Sequence, residues 1–446
     1  MQKNTLAPLY NFLKSYQDPP LAEASFNPHL SGEAHDLETV LASAEKFLSL
    51  SVNTHSSHFF NQLYAGPHPL GVLGDLLASL NNSTMATQEM SPLASQMEKA
   101  LITKIAQMIG WTTTDGIMTA GGSQANLLAF LCAQQCQNPQ FKTEGRQKNN
   151  LKIFISESAH YSFEKAAITV GLGTGSLIKI AVNHAGQMDT ALLKKEIENS
   201  YARGETPLMI VATSGTTVRG AFDPLDDIAK VAHSFDLWFH IDACYGGGLF
   251  FVKDKYPWFV GMEKAQSMSW DAHKLLGMPL TCSFFLTSHP NILTQTLDCE
   301  GGRDYLFHED HGKEEDLGRK SLACARRMDS LKLWLTWMHL GDKGFQKLID
   351  QKLSLAKYAE EKILTTPELE LVYPLASLNL CFRYKKNQTA TFLLNVRQKL
   401  KEEHGIFLNY AQDKQGLFFR LVLINPKTTP KDIDHLLQKI LSYLSF

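Results

Sequence analysis

The chain has 446 residues, 44% of them hydrophobic and 20% charged, which is the balance of an ordinary globular protein with room for more than one core. Its formal net charge is -2, so no global basic field recruits nucleic acid or an anionic membrane, and no 18-residue apolar run offers a membrane span. The seven cysteines are scattered without the paired spacing of a zinc site, and Met1 to Pro20 lacks the apolar core of a secretory leader, so a reduced, cytoplasmic setting is expected.

Residues 1–65 read as helices broken by Asp18-Pro-Pro and Asn27-Pro, with too little periodicity for a core of their own, and as a segment that clasps another surface. Met97 to Ile109 and Gln124 to Cys136 carry apolar residues at helical spacing, with Gly121-Gly122-Ser123 between them. Short apolar runs then follow: Leu151–Ile155, Leu177–Val182, Leu208–Ala212, Leu237–Ile241 and Gly248–Val252. Such runs alternating with helical stretches predict an α/β domain around a mainly parallel sheet, to which Thr281–Thr287 can add an antiparallel strand. Cys299 to Arg319 is polar and glycine-bearing and reads as a mobile surface loop. Met328 to Leu340 is a tryptophan-rich helix, and from about residue 345 the chain reads as a smaller α+β domain.

Five places could carry chemistry, and four of them also have a plainer reading. Lys274, between an apolar run and Leu275-Leu-Gly-Met-Pro279, is either a snorkelling lysine or a desolvated amine of lowered pKa that condenses with a carbonyl. Gly122 and Ser123 open a helix and offer a phosphate cradle, or a tight turn with its cap. His160, just after a strand, suits stacking on a flat heteroaromatic ring, or is a surface histidine. Thr213 stands in a hydroxyl-rich turn at a strand's carboxyl end, where ligands of open α/β sheets bind. Asp242 ends an apolar strand, where a carboxylate is costly unless paired. It either balances a protonated pyridine nitrogen or caps the glycine turn after it.

Taken together these form one set: phosphate cradle, ring stack, nitrogen counter-ion and Schiff-base lysine. With Phe59-Phe-Asn-Gln-Leu63, Thr119–Asn126, Ala159–Ala167, Ala212–Pro224, His240-Ile-Asp-Ala243, Ala272–Ser283, Cys324–Trp334 and Phe418–Pro426, the chain resembles the group II pyridoxal-phosphate-dependent amino acid decarboxylases, most of all the glutamate and cysteine sulfinate branch. The resemblance implies an aspartate-aminotransferase-type fold (PLP fold type I): a large α/β domain with a mainly parallel seven-stranded sheet at 66–340, a smaller C-terminal α+β domain at 341–446, and residues 1–65 packed on a partner subunit. It further implies pyridoxal 5'-phosphate as cofactor, a small and acidic L-amino acid (glutamate, aspartate or cysteine sulfinate) as substrate, amine and CO2 as products, and an obligate homodimer with a shared active site.

Carried onto this sequence, the resemblance makes Lys274 the covalent anchor, Asp242 the partner of the ring nitrogen and His160 the stacking ring. It places Gly122, Ser123 and His273 at the phosphate, and Thr213, Cys244 and Asp271 beside the cofactor. Arg420 becomes the substrate-carboxylate clamp, with Asn61, Gln62 and Ala86 also at the substrate. Three departures stand out. The loop that in the family brings a proton-donating tyrosine reads His308-Glu-Asp-His-Gly-Lys-Glu-Glu-Asp316 here and has none. His308 or His311 could return the proton, ahead of Tyr305; water or Lys274 could do so; or faulty protonation could make the protein an aldehyde-forming lyase or a decarboxylation-dependent oxidase. A catalytically weak binding protein is the remaining alternative. Asn82-Ser-Thr-Met-Ala86-Thr-Gln88 lacks two rings found in glutamate-like members, which suggests an enlarged substrate site. Asp271 replaces a common asparagine, and near a phosphate it is expected to be protonated or turned to a backbone amide, unless it simply caps the turn.

Overall fold

The computed structural model describes residues 28–30, 32–146, 150–299, 305–308, 316–386 and 388–445. His311, most of the acidic loop and most of the first thirty residues lie outside them. Twelve strands can be followed among the described residues: β1 Phe59–Phe60, β2 Asp115–Thr119, β3 Leu151–Ser156, β4 Leu177–Ile180, β5 Thr206–Thr213, β6 Trp238–Ala243, β7 Ser267–Asp271, β8 Ser283–Thr287, β9 Leu369–Leu371, β10 Asn379–Tyr384, β11 Phe407–Asp413 and β12 Gly416–Val422.

Seven of them form one sheet in the order β2-β8-β7-β6-β5-β3-β4. Strands β4, β3, β5, β6 and β7 run parallel, while β8 is antiparallel to both β7 and β2. Two reversals restore the direction, so β2 runs with the parallel set. The carboxyl ends of β2, β3, β5, β6 and β7 therefore lie along one edge of the sheet, the edge at which open α/β sheets bind ligands. The central strands β3, β5 and β6 are buried along almost their whole length, which is why they read as continuous apolar runs rather than alternating ones.

The second sheet, β1-β11-β12-β10-β9, is antiparallel except where β1 pairs in parallel with β11, Phe59 facing Phe407 and Phe60 facing Leu408. The end of the N-terminal segment is thus stitched into the C-terminal sheet. The helix Ser330–Thr365 packs on β9, β10 and the Gly246–Lys255 turn, and is interrupted at Gly341, whose φ of 60° breaks the helical course.

Two expectations need correction. Gly248–Val252 is no strand but part of a 3-10 helical turn at Gly246–Lys255. Every residue from Gly246 to Val252 is buried, and a short apolar run of this kind carries no period that separates strand from buried helix. The glycines are needed there for close approach, since a Cβ at Gly247 would lie 1.8 Å from Cδ1 of Trp270. Strands β2 and β7 were not anticipated as strands; both are short and carry polar residues, yet all ten of their positions are buried.

Candidate active site

The strand ends deliver the site. β2 leads through Gly121, with φ of 134°, into the helix Gly122–Gln137, which puts Gly122 and Ser123 at its amino end. A Cβ on Gly122 would lie 2.3 Å from Sγ of Cys244 and 2.9 Å from Oδ2 of Asp271, so only glycine lets this turn close over β6 and β7. β3 leads to His160, whose Nδ1 accepts from the Ser162 amide at 3.2 Å and whose ring packs on Tyr161 at 4.2 Å between centroids. β5 ends on Thr213 and β6 carries Asp242, and the two are paired in register. β7 ends on Asp271, three residues before Lys274.

Asp242 is held from three sides. Its Oδ1 accepts from the Cys244 amide at 3.1 Å and from Ser269 Oγ at 3.3 Å, and its Oδ2 accepts from Asn126 Nδ2 at 3.0 Å. Burial raises its pKa, but Lys274, the Cys244 amide and His160 outweigh that, and the carboxyl stays below its usual value and ionised. Capping the glycine turn and presenting an anion at the sheet edge are therefore compatible readings of this one residue.

Behind Asp242 lies a chain of hydrogen bonds that sequence reasoning did not single out. Trp238 Nε1, a donor only, lies 2.8 Å from Ser267 Oγ. The Ser267 hydroxyl is then free to donate to His240 Nδ1 at 2.8 Å, which leaves Nε2–H to donate to Asn126 Oδ1 at 3.1 Å. Asn126 passes its own N–H groups to Asp242 and, at 2.9 Å, to Ser162 Oγ beside His160. Burial pushes the His240 imidazole down to about 4, so the relay runs through a neutral ring. A signal was available in the sequence: His240 stands two residues before Asp242 on one strand, hence on the same face, and Asn126 lies one helical turn beyond Ser123.

Lys274 corrects the sequence expectation. Burial alone pulls its pKa down, but Asp271, Cys244 and Asp242 together hold it above the usual lysine value. Its Nζ lies 3.0 Å from Asp271 Oδ2, so without a carbonyl partner the amine is an ammonium ion and not a ready nucleophile. Asp271 is accordingly turned neither to a backbone amide nor away from the site. It bridges Lys274 and Ser283, whose Oγ donates to Oδ1 at 2.6 Å. His273 is buried, with Nδ1 accepting from the Cys282 amide at 3.2 Å, and burial lowers its pKa.

Of the remaining positions, Asn61 and Arg420 come together and four others do not join them. Arg420 donates from Nη2 to the Thr217 carbonyl at 2.6 Å and from Nη1 to the Asn61 carbonyl at 3.4 Å. Ala86 is 1% exposed, and its carbonyl accepts from the Gly318 amide at 2.8 Å. It is closed beneath the 316–319 turn, so the missing ring leaves no open space at this point. Gln62, His308 and Tyr305 are exposed and take no part in the hydrogen bonds of the cluster.

The cluster fits pyridoxal phosphate on its own geometry. It offers a primary amine at Lys274, an anion at Asp242, a helix amino end that must be glycine, and two buried hydroxyls, Thr213 Oγ1 and Ser214 Oγ, that have no partner among the described residues. Comparison with known proteins agrees. Residues 19–385 match the pyridoxal-dependent decarboxylase conserved domain, and the chain belongs to that family: it is a pyridoxal-phosphate-dependent amino acid decarboxylase. It is 33% identical over 443 residues to the cysteine sulfinic acid decarboxylase of Homo sapiens and likewise to that of Mus musculus, covering 95% of this chain and 90% of each relative. The crystal structure of mouse CSAD in apo form superposes with a TM-score of 0.93 at 30% identity, over 99% of this chain and 98% of that one.

Two further properties bear on the site's surroundings. No described helix is long and apolar enough to cross a membrane. No cluster of His, Cys, Asp and Glu among the described residues is placed to hold a metal ion.

Proposed function

We propose that this decarboxylase acts on a small L-amino acid with an acidic side chain, of the glutamate, aspartate or cysteine sulfinate kind, and releases the amine and CO2. The observation that carries the substrate class is Arg420. It is 4% exposed, it forms no ion pair with a carboxylate among the described residues, and its Nε is buried without a partner. A buried cation without a counter-ion is costly, and an acidic substrate supplies one in the bidentate geometry a guanidinium prefers. The cysteine sulfinic acid decarboxylase relatives support the same class.

In this reading Lys274 anchors the cofactor, Asp242 faces the ring nitrogen, and His160 covers the ring. Gly122, Ser123 and His273 hold the phosphate; Thr213, Cys244 and Asp271 line the cofactor; and Asn61, Gln62 and Ala86 border the substrate with Arg420. Pyridoxal phosphate, when bound, supplies the electron sink for the pair left by the departing carboxylate. The chain's own part is to hold charge and protons in place. Asp242, kept ionised, fixes positive charge opposite it, and the hydrogen bonds from Asn126, Ser269 and Cys244 keep it from turning away. Asp271, at 3.0 Å, governs the proton on Lys274 Nζ, which must leave before that nitrogen can attack and must return when it is released.

Proton return at Cα is assigned to His308 or His311, the imidazole-bearing residues of the segment that lacks a tyrosine. An obligate homodimer in the cytoplasm with a shared site completes the proposal. It is supported by the exposed apolar side chains Val72, Leu73, Leu76, Leu77 and Leu80 along the helix Pro69–Asn81, a row too continuous to face water. The test is CO2 release from a panel of acidic, diamino and aromatic L-amino acids with the organic product identified. Turnover of an acidic substrate to stoichiometric amine is expected. Turnover confined to aromatic substrates overturns the substrate class, and aldehyde in place of amine overturns the assignment of clean proton return.

A further inference from the structure

Lys352 is a buried amine that the chemistry described so far does not use. It lies on the helix Ser330–Thr365 and is 9% exposed, and no carboxylate pairs with it among the described residues. Its Nζ donates to two backbone carbonyls, that of Leu275 at 3.4 Å and that of Ile424. Leu275 follows the anchoring lysine directly, and Ile424 lies four residues beyond Arg420, just past the end of β12. The amine therefore joins the loop that presents Lys274 to the segment that continues the Arg420 strand. These two segments also wall a cavity of about 400 Å³, together with Gly66, His68 and Phe345, so packing does not close the gap that the amine spans.

We propose that Lys352 is a positioning residue: it straps the Lys274 loop to the Arg420 strand and so sets the distance between Arg420 and the cofactor position beside Lys274 at which the substrate reacts. The inference rests on the reading of Arg420 as the acidic-group clamp. Burial brings the Lys352 amine down to about 7, close to its neutral form. A neutral amine has two N–H groups, as many as there are carbonyls to satisfy, whereas a lysine serving as a charge would be expected to have an acidic partner. Placing so expensive a group at a junction of two backbone carbonyls, which an apolar side chain would leave without this donor, is what a strap requires and what simple core filling does not.

The test uses the cofactor-loaded enzyme and the acidic substrate it turns over fastest, with Lys352→Met, Lys352→Gln, Arg420→Lys and the Lys352→Met/Arg420→Lys pair. For Lys352→Met, KM is expected to rise about tenfold, the size of one lost hydrogen bond to a buried carbonyl, with kcat within about threefold and the cofactor absorbance unchanged. Lys352→Gln, whose amide can still reach one carbonyl, is expected to recover part of the KM, and it carries the test if the methionine variant does not fold. In the double variant the KM effects are expected to fall short of multiplying, because a clamp already weakened gains little from being well placed. A lowered melting temperature with unchanged KM, loss of the cofactor band, or full multiplication in the double variant overturns the proposal. If Arg420→Lys alone leaves KM unchanged, the reading of Arg420 fails and the strap falls with it. A raised KM in Arg420→Lys with none in Lys352→Met removes the strap alone.

Discussion

The two sides of the site are built on opposite principles. At Asp242 the chain satisfies the charged group itself: the carboxylate has donors from Asn126, Cys244 and Ser269, and Asn126 is fixed in turn by His240. Around Arg420, the chain leaves groups waiting, with Nε of Arg420 and Oδ1 of Asn61 both buried and unpartnered among the described residues. The first side is a preorganised anion whose field need not change as the reaction proceeds. The second is completed only by a ligand. In the proposed function this difference separates the cofactor-directed half from the half that discriminates between substrates.

Removing the anchor should break the comparison most severely. Lys274→Ala is expected to lower kcat/KM by roughly three orders of magnitude or more and to abolish the cofactor's Schiff-base absorbance, read by stopped assay and by spectrum. Asp271, left without its partner 3.0 Å away, becomes an uncompensated buried carboxylate, so a fall in stability should accompany the loss. Asp242→Asn comes next. It keeps the shape and removes the charge, and about a hundredfold loss in kcat with little change in KM is expected if the carboxylate acts on the reacting system and not on substrate binding.

Gly122→Ala sharpens the claim that the cradle is a matter of close approach. Its Cβ would meet Sγ of Cys244 at 2.3 Å, so weakened cofactor affinity is expected, measured by titrating apoenzyme, and Cys244→Ala in the same chain should recover much of it. An unaltered affinity in Gly122→Ala alone would count against that geometry.

The smallest expected effect concerns pH. His240 has a folded pKa of about 4, below its unfolded value of about 6.5, so the unfolded chain binds the extra proton between those values and stability falls as pH drops through that window. Asp223, buried and raised to about 6, acts in the opposite sense: the folded chain holds its proton longer, and stability falls as pH rises from about 4 to 6. The two largely offset in the wild type. They separate in variants: the stability gap between wild type and His240→Gln should shrink by roughly 2–3 kcal/mol from pH 7.5 to 4.5 in urea unfolding. A gap that stays constant would show that His240 is not the neutral link in the relay.

Much of this was legible in the residues alone. The helix Gly122–Gln137, the strands β3 to β6 and the polar residues at their carboxyl ends follow from apolar runs, glycine breaks and positions counted over a few residues. These are local properties, and the family resemblance rests on the same short motifs. What only the folded chain reveals depends on partners far apart in sequence. Arg420 meets the carbonyl of Asn61 across 359 positions, and His240 meets Asn126 across 114. The stretch 246–255 is a helical turn whose Gly247 lies too close to Trp270 for a side chain, and Lys274 is an ammonium ion because Asp271 and Asp242 outweigh its burial. Identity and position of the chemical groups belong to the sequence; their charge, their orientation and the strap through Lys352 belong to packing, because burial and pairing are set by neighbours that no local pattern names.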